Sequence, residues 1–158
     1  MIQLLQQFPV KPQVVQNHMD LVDLEWEFRD FLAENHILLQ AYGSFRGIAE
    51  AKEQEYNSWK HILLQMCEEI KQEQGIQVSP TQLVLRFLLE NDVAVISRTS
   101  KSQHLKENND IFTFEFTNEF NVQLGGQALL FLSQKKIEFQ GKAQQKKIDC
   151  FSVFKFYF

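Results

Sequence analysis

Cysteine is nearly absent from this chain of 158 residues, and the two present, Cys67 and Cys150, form no CxxC pair. That sets aside a disulfide framework and leaves a reduced chain with one inert, buried thiol at Cys67. His18, His36 and His61 lack metal-ligand spacing to cysteine or carboxylate partners, so no metal is expected and each reads as a surface or helix-end residue. Long apolar runs are missing too. None approaches the roughly 18 residues needed to cross a bilayer, so no membrane span is expected. Nor does a basic stretch precede the short apolar segment between Met1 and Pro9, which argues against a secretory leader. The expected compartment is cytoplasmic, with an organelle matrix as the alternative. Positive charge is scarce as well: the formal net charge is −4 and the pI near 5.6. A general polyanion binder is therefore excluded, and no nucleic acid partner is expected.

What the chain does contain is ordinary in bulk: 44% apolar and 23% charged residues. Those fractions match a globular domain rather than a disordered chain, and this length suffices to bury about 70% of the unfolded surface. Phenylalanine is over-represented, with 15 against only 6 glycines and 3 prolines. Glutamine is abundant throughout, and both excesses read as compositional bias rather than chemistry. Charge is uneven along the chain. From Asn118 onward six lysines face two glutamates and one aspartate, a local +3 that leaves −7 for the remainder. Two readings stand: a basic tail that docks on an acidic partner, or lysines that keep a very apolar tail soluble.

Periodicity gives the organisation. Ile2 to Phe8 reads as the last turns of a helix stopped by Pro9 and Pro12. Gln13 to Asn17, Ile37 to Ala41 and Val93 to Ser97 are short apolar runs with β-branched residues, the pattern of buried strands. Leu21, Leu24, Phe28, Phe31 and Leu32 recur at three- and four-residue spacing, as on one amphipathic helix. Trp59, Ile62, Leu63, Met66, Cys67 and Ile70 mark a second, closed by Gly75. Ser79-Pro80-Thr81-Gln82 is a capping-box helix start, and Leu83, Val84, Phe87 and Leu88 are its buried face. A short helical stretch follows Arg98-Thr99-Ser100 and runs through Asn109. Strands that are apolar on both faces and separated by helices indicate parallel βαβ units. In such sheets ligands meet the loops at the carboxyl ends of the strands. Here those ends are Gln16-Asn17, Tyr42 to Gly47 and Arg98 to Ser100.

Three stretches in this order resemble the aldo-keto reductase family: KPQVVQNHMDL from Lys11, ILLQAYGSFRG from Ile37, and VSPTQLVLRFLLENDVAVISRTSKSQHLKENNDIFTFEFT from Val78. The third carries the most specific signature: Ser79, Pro80, Gln82, Leu85, Arg86 and Phe87 on a helix, then Arg98-Thr99 after a strand, then Glu107-Asn108. The resemblance covers about residues 2 to 120 and implies an α/β fold. It would be part of a (β/α)8 TIM-type barrel, its last three parallel strands with their helices. The expected division is therefore residues 1–120 as a C-terminal half-barrel and 121–158 as a divergent Phe- and Lys-rich tail.

The resemblance also implies an NADP(H) site on these strand ends. Gln16 would hydrogen-bond the nicotinamide carboxamide and Tyr42 would stack on the nicotinamide. Gly43 and Ser44 would lie by the pyrophosphate, with Gly43 in place of the usual serine. Arg98 and Thr99 would hold the phosphate on the adenosine ribose. Glu107 and Asn108 would meet the adenine, while His104 stands where the family has an arginine over that base. The chemistry suits those roles, since a guanidinium where a strand feeds a helix can meet a phosphate and an amide can match an adenine edge. Taken singly, each has a plainer explanation: a core tyrosine, a local ion pair at Arg98, a helix end at Glu107-Asn108.

The family's proton-donating set of Asp, Tyr, Lys and His belongs to the first four strands of the barrel, which have no counterpart here. No catalytic residue is expected within this chain. Tyr56, Tyr157, Lys52 and Lys60 fall outside the matched motifs. Three parallel strands cannot close a barrel, so both sheet edges call for cover from the tail, a protein partner or self-association. In the tail, Gly125-Gly126 is read as a turn between strands at Phe120-Val122 and Ala128-Leu132, and the aromatic alternation from Cys150 to Phe158 has strand character. Three functions remain: a reductase-family NADP(H) protein acting on carbonyl or alcohol substrates, a non-catalytic assembly component derived from one, or a truncated product.

Overall fold

The computed structural model describes residues 2–7, 9–49 and 53–130. In chain order its elements are α1 (Ile2–Gln7), β1 (Val14–His18), α2 (Trp26–Glu34), β2 (Leu38–Tyr42), α3 (Arg46–Ala49), α4 (Glu53–Gln74), α5 (Pro80–Glu90), β3 (Val93–Ile96) and α6 (Ser102–Asn109). A further helix occupies residues 118–130. The three strands form one parallel sheet in the order β1-β2-β3. This is an α/β architecture whose three expected strands each lie within one residue of their expected bounds.

Register explains how the sheet is used. Val15, Leu39 and Val93 stand side by side, as do Asn17, Ala41 and Val95. Their face is covered by helices, and Leu39, Ala41 and Val93 are almost wholly buried. Side chains alternate along a strand, so Val14 with Leu38, Gln16 with Gln40 and Ala94, and His18 with Tyr42 and Ile96 share the opposite face. That face is open. Val14 and Leu38 are each 46% exposed, Tyr42 44% and Ile96 41%. The strands were expected to be apolar on both faces; the covered face is largely so, whereas the open face mixes Val14, Leu38, Tyr42 and Ile96 with Gln16, Gln40 and His18.

The helix α5 begins as its sequence dictates. Ser79 Oγ accepts from the Gln82 N–H at 3.3 Å, and Gln82 Oε1 accepts from the Ser79 N–H at 2.9 Å, with Pro80 at the first helical position. Its buried face, Leu83, Val84, Leu85, Phe87 and Leu88, packs against β3 and α4. α4 contributes Trp59, Leu63, Met66, Cys67 and Ile70 to the same core, and Gly75 ends it at φ +71°. The helix expected from Leu21 starts later, at Trp26. Leu21 and Leu24 are fully buried, but Leu21 sits in the turn bridged between Asp20 and Asp23 and Leu24 directly follows it. Their spacing reflects a turn that folds back into the core rather than a helical face.

Residues 110–117 are held by side chains. Gln74 exchanges two hydrogen bonds with the Glu115 backbone, donating to its carbonyl at 3.0 Å and accepting its N–H at 2.8 Å. Gln82 Nε2 donates to the Asp110 carbonyl and an Arg86 guanidinium nitrogen to that of Ile111. Phe114 and Phe116 are thereby anchored in the core. The expected Gly125-Gly126 turn is not formed, because residues 118–130 are helical throughout. Thr117 Oγ1 caps the helix by accepting the Phe120 N–H at 3.3 Å. Phe120, Leu124 and Ala128 are buried four residues apart, and a Cβ at Gly125 would stand 3.9 Å from the Phe87 ring. Burial of one face has outweighed the ~1 kcal/mol that each helical glycine costs. The division expected at 120/121 thus falls inside a helix whose inner face joins the core. The aromatic run 150–158 lies outside the described residues.

Candidate nucleotide site at the strand ends

The carboxyl ends of β1 and β2 are tied together by one carboxylate. Asp20, fully buried, accepts the Val22 N–H at 2.9 Å and the Gly47 N–H at 2.6 Å. The second bond spans 27 residues and fixes α3 against the turn after β1. Room for it exists only because residue 47 is glycine. A Cβ there would stand 1.9 Å from Val22 Cγ2 and 2.5 and 2.6 Å from the Asp20 oxygens. Burial pushes the Asp20 pKa up from its ordinary value, opposed by the two N–H donors and by His18. His18 Nε2 lies 3.1 Å from Asp20 Oδ2 without an aligned hydrogen bond.

His18 was expected at the surface or a helix end, and the structure corrects this. It closes β1, half-buried, with its ring edge-on to Tyr42 at 5.9 Å and Asp20 and Asp23 alongside. It also crowds Gly43, whose φ is +68° and whose absent Cβ would meet the imidazole at 3.0 Å. The His18, Asp20 and Gly47 cluster was not singled out in the sequence. A carboxylate between Met19 and Leu21 in an apolar stretch was the available sign that it would be buried.

The expected site residues divide as follows. Gln16 and Tyr42 share the open face of the sheet, with Gln16 Nε2 3.5 Å from Gln40 Oε1. Gly43 and Ser44 form the turn into α3, and Ser44 is 3% exposed with its Oγ lacking any partner. Arg98 is exposed just beyond β3, and the neighbouring Thr99 Oγ1 accepts the Lys101 N–H at 3.1 Å. Asn108 reaches back from α6 to give its Nδ2 hydrogen to Ser97 Oγ at 3.0 Å, and its Oδ1 is buried without a partner. His104 is exposed on α6. Glu107 departs from the group, because it accepts from Gln103 Nε2 and faces a cavity of about 380 Å³ whose walls include Leu64, Cys67 and Ser79. Burial raises the Cys67 thiol to about 11, so it stays protonated and inert.

Unpartnered polar atoms in a buried setting are uncommon, since each costs roughly 1–3 kcal/mol. Ser44 Oγ, in the turn after β2, and Asn108 Oδ1, on α6 beyond β3, are two of them, and His18 Nε2 is a third. The first two can accept a hydrogen bond, and the serine can also donate one. The donor and acceptor set therefore fits a polar nucleotide ligand. No group of His, Cys, Asp or Glu among the described residues could hold a metal ion.

The family model for aldo/keto reductases matches residues 1–125. The chain belongs to the aldo/keto reductase family. Solved aldo-keto reductase structures share its fold. The aldose reductase of Schistosoma japonicum matches with a TM-score of 0.63 at 19% identity, covering 80% of this chain and 37% of that one. An aldo/keto reductase of Brucella melitensis matches at 0.59 and 19%, with 78% and 42% covered. A variant of Gox0644 in complex with NADPH matches at 0.62 and 19%, with 78% and 41% covered. The chain thus spans about two fifths of the length of these relatives and has the fold of part of their barrel. No curated protein matches the sequence. Among the described residues no helix is long and apolar enough to cross a membrane.

Proposed function

We propose that this chain supplies one wall of an NADP(H) pocket in an aldo/keto reductase-type oxidoreductase acting on carbonyl or alcohol substrates. The observation that carries the reading is the pair of buried, unsatisfied polar atoms, Ser44 Oγ in the turn after β2 and Asn108 Oδ1 on α6 beyond β3. Gln16 and Tyr42 would face the nicotinamide from the open side of the sheet. Ser44 and the Gly43 turn would lie by the pyrophosphate, and Arg98 with Thr99 would take the ribose phosphate. Asn108 would take the adenine, with Glu107 and His104 flanking it on α6. When bound, the reduced cofactor supplies a hydride. This chain's contribution is to hold and orient it, while the proton donor comes from a polypeptide segment outside these residues. Titration of NADPH fluorescence with the full chain tests this: binding that weakens with Ser44→Ala and Asn108→Ala is expected, and no binding up to millimolar cofactor refutes it.

A second reading has its own support. The open sheet face carries Val14, Leu38, Tyr42 and Ile96 but no Asp, Glu, Lys or Arg, so covering it would desolvate no fixed charge. On this reading the chain is a non-catalytic assembly component in the cytoplasm or an organelle matrix, with a protein partner or a second copy over that face and its strand edges. Sedimentation at micromolar concentration decides it, because a lone monomer without co-purifying protein excludes this role.

A further inference from the structure

A cleft of about 910 Å³ opens beside β1, away from the strand-end loops after β2 and β3. Its apolar walls are Ile2 of α1, Leu24, Trp26 and Phe28 around the start of α2, and Leu129 of the 118–130 helix. Its polar rim is acidic. Asp23, Glu25 and Glu27 line it and are exposed, and no lysine or arginine is among the lining residues. Asp23 and Glu25 have an imidazole and an amide beside them rather than a lysine or arginine. Glu25 accepts the Asn17 side-chain N–H at 2.8 Å, and Asp23 lies 3.8 Å from His18 Nδ1. The nearby Arg29 is engaged by Asp30 at 2.6 Å.

The 118–130 helix delivers the rest of the chain to this rim, since Leu129 is itself part of the wall and 56% exposed. The 28 residues that follow hold six lysines against Glu138 and Asp149, a net +4. Apolar residues are interleaved with them: Phe131, Leu132, Ile137 and Phe139 surround Lys135-Lys136. At about 3.3 Å per extended residue, Lys135 and Lys136 reach roughly 20 Å from Leu129, far enough to span the cleft. Tethering also places the segment at millimolar effective concentration, so weak contacts suffice.

We propose that this acidic cleft is the docking site of the chain's own basic C-terminal segment, residues 131–147. Its lysines meet Asp23, Glu25 and Glu27 while its apolar residues cover Trp26 and Leu129. Its lining shares only the β1 end, at Asn17, with the strand ends of the nucleotide site.

Zero-length carbodiimide cross-linking of the full chain at low salt, read by mass spectrometry, tests it. The expected result is amide links from Asp23, Glu25 or Glu27 to Lys135, Lys136, Lys142, Lys146 or Lys147. Their yield should fall at least about fivefold in 1 M salt, where screening shrinks the range of charge to about 3 Å. An equimolar mixture of isotopically light and heavy chains separates the sources, because own-chain docking gives links of unmixed isotope only. Mixed-isotope links assign the cleft to a second copy and overturn the proposal. So does a lysine pattern spread over the other carboxylates, or a yield indifferent to salt. Glu25→Gln with Glu27→Gln should lower the yield to Asp23 as well, by loosening the whole segment.

Discussion

Replacing Gly47 by alanine probes the Asp20 tie most sharply. The added Cβ would fall 1.9 Å from Val22 Cγ2 and within 2.6 Å of both Asp20 oxygens, so either Val22 must shift or the carboxylate must release the Gly47 N–H. Overpacking of this kind costs about 1–3 kcal/mol. Losing a hydrogen bond to a charged acceptor costs about 1.5–3 kcal/mol. The two overlap, and about 2–5 kcal/mol is expected against a total stability of about 5–15 kcal/mol for a domain. Urea unfolding followed by circular dichroism reads it directly. With a slope of roughly 2 kcal/mol per M, the midpoint should fall by about 1–2.5 M. Gly126→Ala is the matched control, because that glycine is helical and exposed with nothing within 4 Å of its Cβ. It should gain about 0.5–1 kcal/mol. If Gly47→Ala unfolds within experimental error of the wild type, the tie between the two strand ends carries no energy and the account of the site's rigidity fails.

Other perturbations have defined outcomes. Ser79→Ala removes the side-chain half of the α5 capping box, the bond its Oγ accepts from the Gln82 N–H, and should cost about 1 kcal/mol in the same urea assay. Leu124→Ala, at a fully buried position, should cost about 2–5 kcal/mol; a cost under 0.5 kcal/mol would mean the 118–130 helix is not part of the folded unit. Asp20 gives a pH signature. Its folded pKa is raised chiefly by burial, so its contribution favours folding below the unfolded value of about 3.9 and is lost as pH rises through the folded one. The stability of wild type minus that of Asp20→Asn should therefore decrease as pH climbs from about 4; a flat or increasing difference contradicts the sign.

Much of the fold was legible because it rests on short-range rules. The capping box at Ser79 to Gln82, the left-handed Gly75 and the apolar runs of the strands each act within a few residues. The features that were not legible depend on partners distant in the chain. Leu21 and Leu24 fit a helical spacing, yet Asp20 binds the Val22 and Gly47 backbone and folds Leu21 into a turn that ends before Leu24. Gly125-Gly126 looks like a turn in isolation. Phe87 on α5 instead receives that glycine side of a helix whose Phe120, Leu124 and Ala128 repeat was visible in the sequence. At the site, Gln16 and Tyr42 were implied by the family resemblance, and strand parity accounts for their shared face. Asn108 and Glu107 are neighbours in sequence, but their side chains diverge, to Ser97 and to the cavity beside α4, and no motif encodes that divergence.

Hydrogen–deuterium exchange of the full chain with and without NADPH tests the nucleotide-wall proposal most directly. Slowed exchange confined to residues 14–18, 42–47 and 97–109 is the predicted result, with the 118–130 helix unchanged. Unaltered exchange at saturating NADPH, or protection appearing only elsewhere, would contradict it.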